Sequence, residues 1–219
     1  MWISETQKNE ARIHEIDLDL VQGMWNQGND TVVVKDGLIM NSDSRMLNQR
    51  KINFPQLPDL INGGGYSIEL WLTIEDMKHG QKVLSTIGNK HKGIEVSLME
   101  NNAIEILIND GEVREVDISE NNKFISDQNT ITEGQMHHVV FTIDGAAKIA
   151  TIIVDGVLSD GSPSTRDYGW GRIYPYLQDQ NDTNICTFDK GFDGTIHHIR
   201  VYNRALRTSE AIANFNAGQ

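Results

Sequence analysis

The sequence predicts an all-β protein: a two-sheet antiparallel β-sandwich of jelly-roll type, with one short C-terminal helix. Three observations predict it. Short apolar runs follow one another at close spacing from residue 66 to residue 154, separated by Gly88-Asn89, Asn101-Asn102 and Asp110-Gly111. Tyr66, Ile68, Leu70, Leu72 and Ile74 alternate strictly with their neighbours, the period of a strand with one buried face. Only Ser209–Asn216 places apolar residues, Ile212 and Phe215, at helical spacing, with Thr208 as its cap. The 219 residues suit one domain over 1–219.

In chain order, Glu15-Ile16-Asp17-Leu18-Asp19-Leu20 alternates and reads as a first strand. Thr31 to Met40 reads as a hairpin turning at Lys35-Asp36-Gly37, because Asp-Gly between apolar runs accepts the positive φ of a tight turn. Residues 41–62 are polar, contain Pro55 and Pro58, and hold short strands and an edge. Strands follow at Tyr66–Ile74, Lys82–Ile87, Ile94–Met99, Ile104–Ile108 and Val113–Ile118. Residues 119–136 read as a polar loop around Phe124 and Ile125. His137–Ile143 and Ile149–Val154 form a further pair, and Asp155-Gly156 turns the second. Residues 157–190 are the longest irregular stretch. The closing strand runs from Gly194 to Tyr202, with Ile199 and Val201 on one face and Ile196 with Tyr202 on the other.

Composition narrows the function classes. Lys+Arg 19 against Asp+Glu 31 gives a net charge of −12, which disfavours nucleic-acid phosphate and anionic membrane surfaces and suits neutral sugars or cations. Cys186 is the single cysteine, so no internal disulfide forms, and its apolar neighbours mark it as a buried small hydrophobe. No run reaches the ~18 apolar residues of a membrane span. Nucleophile elbows, P-loops and dinucleotide fingerprints are absent from the sequence.

Three segments carry a family resemblance. Tyr66-Ser67-Ile68-Glu69-Leu70-Trp71-Leu72 resembles the opening core strand of the laminin-G-like, concanavalin A-like jelly rolls. His137–Asp144 with Ile153-Val154-Asp155-Gly156-Val157-Leu158 is similar to their central hairpin. Gly194–Leu206 is similar to their closing strand and exit, and the resemblance spans roughly residues 60–216. It implies two stacked, curved antiparallel sheets of six or seven strands each. It also implies binding of carbohydrate or protein, an extracellular, periplasmic or cell-surface location, and in many members a structural calcium. Two positions depart from the pattern: Met136 stands where the hairpin usually begins with Trp, and His197-His198 replace an acidic pair.

The candidate binding residues lie in Asp167-Tyr168-Gly169-Trp170-Gly171-Arg172-Ile173-Tyr174-Pro175-Tyr176. Aromatic rings cover the C–H faces of sugars, and Arg, Asp and Asn bond their hydroxyls. The carbohydrate candidates are Asp167, Tyr168, Trp170, Arg172, Tyr174 and Tyr176, joined by Trp25 and Asn26 of an earlier loop. Calcium candidates are Asn29, Asp30 and Asp193, because calcium takes loop oxygens. Glu15, Asp17 and Asp19 have the i, i+2, i+4 spacing of a glycosidase strand, yet ordinary alternation of a polar face explains them better. His137-His138 and His197-His198 can each offer one histidine to a zinc site, because adjacent strand residues face opposite ways. The expected function is a non-catalytic, lectin-like module whose partner is a glycan or polysaccharide. The alternatives are a protein-binding adhesion module and a glycoside hydrolase or polysaccharide lyase.

Overall fold

A computed structural model describes residues 12–16, 33–34, 37–40, 50–54, 56–112, 122–159, 171–183, 185–188 and 191–218. The strands are β1 (Arg12–Ile16), β2 (Val33–Val34), β3 (Gly37–Met40), β4 (Arg50–Asn53), β5 (Gly65–Ile74), β6 (Lys82–Ser85), β7 (Lys92–Met99) and β8 (Ala103–Asp110). They continue as β9 (Lys123–Ile125), β10 (Met136–Asp144), β11 (Ile149–Val154), β12 (Val157–Leu158), β13 (Gly171–Arg172), β14 (Ile185–Phe188) and β15 (Gly194–Tyr202). One helix, α1 (Thr208–Ala217), follows. No helix among the described residues is long and apolar enough to cross a membrane.

The strands form two antiparallel sheets, the expected sandwich. The nine-stranded sheet runs β12-β11-β10-β5-β15-β3-β2, with β13 also on β11 and β1 also on β15. β1 and β3 pair with different stretches of β15, and β12 and β13 with different stretches of β11, so nine strands span seven positions. The six-stranded sheet runs β4-β14-β6-β7-β8-β9. Between the sheets lie Tyr66, Ile68, Leu70, Leu72 and Ile74 of β5, Phe141 and Ile143 of β10, and Ile94, Val96, Leu98, Ile104, Ile106 and Ile108 of β7 and β8, all 0% exposed. Each such side chain contributes roughly 1.5–3 kcal/mol by leaving water.

Several sequence expectations are corrected. Ile196 joins Ile199 and Val201 in the main core, because β15 bulges: Leu72 pairs with Ile196, while the next residue, Trp71, pairs with His198. The extra residue shifts the alternation by one. His197 Nε2 consequently lies 3.0 Å from Thr73 Oγ1 while His198 stands opposite Trp71, so both histidines belong to the outer face instead of splitting. The 119–136 loop contains β9, whose Phe124 is buried and closes the six-stranded sheet. The 157–190 stretch contains β12, β13 and β14, and β14 is an interior strand between β4 and β6. The first strand begins earlier than expected, at Arg12, and Asp17 and Asp19 lie outside the described residues, as does Val113–Ile118.

The helix also differs in detail. It starts at Thr208 itself and is preceded by Arg207, whose backbone N–H donates to Glu210 (2.8 Å). Glu210 also accepts both Arg204 guanidinium nitrogens at 2.7 and 2.9 Å. Its buried residues are Ala211 and Asn214, not Ile212. Ala211 packs on Val140, Ile153, Tyr202 and Leu206 against the outer face of the nine-stranded sheet. Asn214 is buried because a carboxylate waits beneath it.

That carboxylate is Glu69 on β5, 1% exposed. Its Oε1 accepts His138 Nε2 at 3.0 Å and Arg200 Nη1 at 3.2 Å. Its Oε2 accepts the Tyr202 hydroxyl at 2.5 Å and Asn214 Nδ2 at 3.0 Å. Burial alone would raise its pKa, but the bonds from His138 and Tyr202 and the charges of Arg200 and His138 outweigh it and hold the group at about 2. Phe215 stacks on Trp71 and on His138, at centroid distances of 6.1 and 5.8 Å. Trp71, 5% exposed, packs between the sheet and the helix against His138 and Phe215.

Candidate functional site

The 171–182 segment is an irregular chain nailed down at its ends and open at its middle. β13 pairs Arg172 with Ile149 and Gly171 with Ala150. Gly171 lies against Phe124, where an added Cβ would sit 2.3 Å from the ring, so no larger residue fits there. Ile173 is buried and its N–H donates to Lys148 O at 3.0 Å. The Tyr174 N–H donates to Asn122 Oδ1 at 3.3 Å, and the Leu177 N–H closes a turn onto Tyr174 O at 3.1 Å.

Beyond that turn the pins reach far along the chain. Leu177 is fully buried, and the Gln178 N–H donates to Asp110 Oδ2 at 2.7 Å. Gln180 is buried and accepts the Tyr66 hydroxyl at 3.0 Å. Asn181 exchanges two bonds with the Leu57 backbone, at 2.8 and 2.9 Å. Asp182 accepts the Lys90 N–H at 2.7 Å.

Between these pins stand the exposed residues. Tyr176 is 66% exposed and Tyr174 is half-buried. Their rings meet edge-to-face, with centroids 5.8 Å apart and planes at 69°. Arg172 is exposed on the adjoining strand. Ile173 and Leu177 point inward, so the core side of the segment is apolar and the tyrosine side faces water. This geometry offers flat C–H contact and hydroxyl bonding with little side-chain entropy to lose.

Of the sequence candidates, Arg172, Tyr174 and Tyr176 therefore share one loop. Asp167, Tyr168, Trp170, Trp25, Asn26, Asn29 and Asp30 lie outside the described residues. Asp193 sits at the Ile74 end of β5, whereas Gln180 meets Tyr66 at the other end, ~26 Å away along the strand. The Asp193 carbonyl accepts the Glu75 N–H at 2.9 Å. Among the described residues no three His, Cys, Asp or Glu side chains gather to hold a metal ion, so Asp193 brings no ligand set with it. His137 is engaged elsewhere: its Nδ1 donates to Asp155 Oδ2 at 2.7 Å, and its Nε2 accepts the Thr132 N–H at 2.8 Å. The Asp155 bond raises the His137 pKa against the opposing effect of burial. Cys186 is fully buried, which pushes its thiol up to about 12 and removes it as a nucleophile.

Known proteins place the fold. No curated protein sequence matches the chain. It is similar to the binding domain of Paraclostridial Mosquitocidal Protein 1, with 18% identity and a TM-score of 0.57 over 87% of this chain and 46% of that one. It is similar to botulinum neurotoxin type C, whose cell entry is dependent upon interaction with two ganglioside molecules (14% identity, TM-score 0.62, 99% of this chain and 53% of that one). It is also similar to domain 4 of AbnA, an extracellular arabinanase from Geobacillus stearothermophilus, in complex with arabinotriose (17% identity, TM-score 0.50, 85% and 80%). The chain spans about half the length of the toxin structures it matches. At these identities the likeness is one of fold. The family model described as "Concanavalin A-like lectin/glucanases superfamily" matches residues 48–212, three-quarters of the chain and both its sheets, and the chain belongs to that superfamily.

Proposed function

We propose that the chain is a non-catalytic carbohydrate-binding module that meets glycans through the tyrosine rim of the 171–182 loop. The observation that carries this reading is Tyr176, a large ring 66% exposed on a loop whose flanking residues are bonded into the core. A pinned aromatic presents contact area without an ordering cost on binding. Covering about 100 Å² of such a ring is worth ~2.5 kcal/mol, enough for weak, multivalent glycan recognition. Arg172 adds a planar donor for hydroxyls. Asp167, Tyr168 and Trp170, with Trp25 and Asn26, belong to the same proposal. Arg and Tyr side chains orient a ligand without supplying a nucleophile and a general acid, so the reading is binding without turnover.

An exported or surface location accompanies it, in keeping with the fold's occurrence in an extracellular arabinanase and in toxins. The second reading, a protein-binding module, draws on Met136 and Val157, which are 48% and 66% exposed at the same end of the β10–β11 pair. Array screening against plant, bacterial and animal glycans decides between them. Retention on a defined glycan set is expected. Silence across the array, together with pull-down of a protein through the Met136 end, overturns the first reading in favour of the second.

A further inference from the structure

His137, near the start of β10, is 4% exposed and ties three segments of the chain together. Its Nδ1 meets Asp155 Oδ2 in the turn between β11 and β12, and the same carboxylate accepts the His138 N–H at 2.8 Å. The Asp155 N–H returns a bond to His138 O, also at 2.8 Å. Turn and strand are thereby fixed to each other, and Asp155 holds the imidazole proton on Nδ1.

The other ring nitrogen faces the connector that leads into β10. Nε2 lies 2.8 Å from the Thr132 backbone nitrogen and 3.2 Å from the Thr132 carbonyl oxygen. One ring nitrogen cannot serve both. With the ring neutral, Nε2 is a lone pair and accepts the Thr132 N–H. With the ring protonated, Nε2 is itself an N–H, opposes the Thr132 N–H, and has the Thr132 carbonyl beside it. That carbonyl already accepts the Gln135 N–H at 3.2 Å and closes the 132–135 turn, whose residues are all exposed. The Ile131 N–H is held by Asn102 O at 3.0 Å and the Gly134 N–H by Ile74 O at 2.7 Å, so a change at Thr132 is taken up within the turn.

The charges around the ring are few. Leu72 of β5 stands opposite His137. The titratable groups on the surrounding segments are Asp155 of the turn, Glu133 of the connector, Glu100 with its partner His79 near Asn101 and Asn102, and His138 on β10 itself. Asp155 dominates: its bond and its charge favour the protonated ring, outweigh burial, and raise the His137 pKa above the ordinary imidazole value. The clamp is therefore complete in acid and weakens as pH rises through that raised value.

We propose that His137 is a proton-driven switch for the 132–135 turn: neutral, it holds the Thr132 N–H; protonated, it releases that group and takes the Thr132 carbonyl. The turn runs directly into Met136, so mild acid re-aims the Met136 end of the β10–β11 pair. The tyrosine rim lies at the other end of β11, where β13 pairs with Ile149 and Ala150, and the switch stands independently of it.

The test is a pH titration of the full chain by NMR that follows the His137 ring nitrogens and the backbone amides. The Thr132 and Gln135 amide signals should move with the same midpoint as the His137 ring, and the neutral ring should carry its proton on Nδ1. Asp155→Asn removes the facing charge, so all three midpoints should move together to lower pH, by about one unit. In His137→Gln both amides should stay still over that range; if this variant does not fold, the wild type and Asp155→Asn carry the comparison. A His137 ring that titrates while the Thr132 and Gln135 amides stay still is a fixed clamp, and overturns the switch. A neutral ring protonated on Nε2 overturns it too, because Nε2 would then present an N–H at every pH.

Discussion

Replacing Glu69 by glutamine tests what holds the C-terminal helix to the sheet. The side chain keeps its shape, and the Oε1 bonds to His138 and Arg200 at 3.0 and 3.2 Å can persist. At the Oε2 position an NH₂ group now confronts Asn214 Nδ2, a donor 3.0 Å away. Tyr202 can turn its hydroxyl to accept, and Asn214 can accept only by turning its amide over, which takes its Nδ2 away from the Tyr202 hydroxyl 3.2 Å off. Losing the charged acceptor and rearranging these buried bonds costs about 1–3 kcal/mol. Arg200, only 16% exposed in its side chain, also loses its charged partner, and breaking a buried pair from one side costs about 3–5 kcal/mol. The two overlap, so the expected loss is ~4 kcal/mol, or a drop in Tm of about 10 °C for a chain of this size. Urea unfolding followed by tryptophan fluorescence measures it, since Trp71 stacks against Phe215 of the helix. In the Glu69→Gln background, Asn214→Ala should cost less than in the wild type, because the bond from Asn214 to a charged carboxylate is already gone. A loss below about 1 kcal/mol for Glu69→Gln, or additive single and double variants, refutes the reasoning.

Other outcomes follow from the same geometry. The Glu69 pKa is lowered, so its contribution is complete above the ordinary carboxyl range and disappears as pH falls from about 4.3 towards 2; acid unfolding in that window should be steeper in the wild type than in Glu69→Gln. The Glu105 pKa is raised, so the wild type loses stability as pH climbs through the carboxyl range, and Glu105→Gln should melt a few degrees higher at pH 7 and no differently at pH 3. Leu72→Ala opens a cavity at a fully buried position between the sheets and should cost about 2–5 kcal/mol in chemical denaturation. We extend the proposal to a structural calcium held by Asn29, Asp30 and Asp193; Tm should then rise in millimolar calcium relative to chelator, and an unchanged Tm removes the ion.

Much of the sandwich was legible in residue order alone. Tyr66 to Ile74 alternate so regularly that one face had to be buried, and β5 spans Gly65–Ile74. Ile149–Val154 is a strand with the bounds its apolar run implies. What escaped has physical causes. β14 is only Ile185-Cys186-Thr187-Phe188, too short a run to stand out from a polar stretch, yet its partners β4 and β6 make it interior. The bulge at His197 has no local signature, because it depends on how β15 registers against Trp71 and Leu72. Glu69 reads as an ordinary outward residue of an alternating strand; its burial depends on a helix that begins 139 residues later, and Asn214 reads as polar surface for the same reason.

The candidate site divides in the same way. Clustered aromatics marked the loop, but which rings face water was decided by pins with remote partners: Gln180 to Tyr66 and Asn181 to Leu57. Glu105 gave no signal at all, since an alternating polar residue on a strand is the commonest thing in such a sequence. Only its 7% exposure sets it apart.

The most direct measurement is a calorimetric titration of the wild type and of the Tyr174→Ala/Tyr176→Ala double variant with the glycan best retained on the array. Tyr176 is 66% exposed, so the double variant should melt within a few degrees of the wild type. A loss of at least about tenfold in affinity with the fold intact is the expected result. Equal affinities for the two proteins contradict glycan contact through this loop.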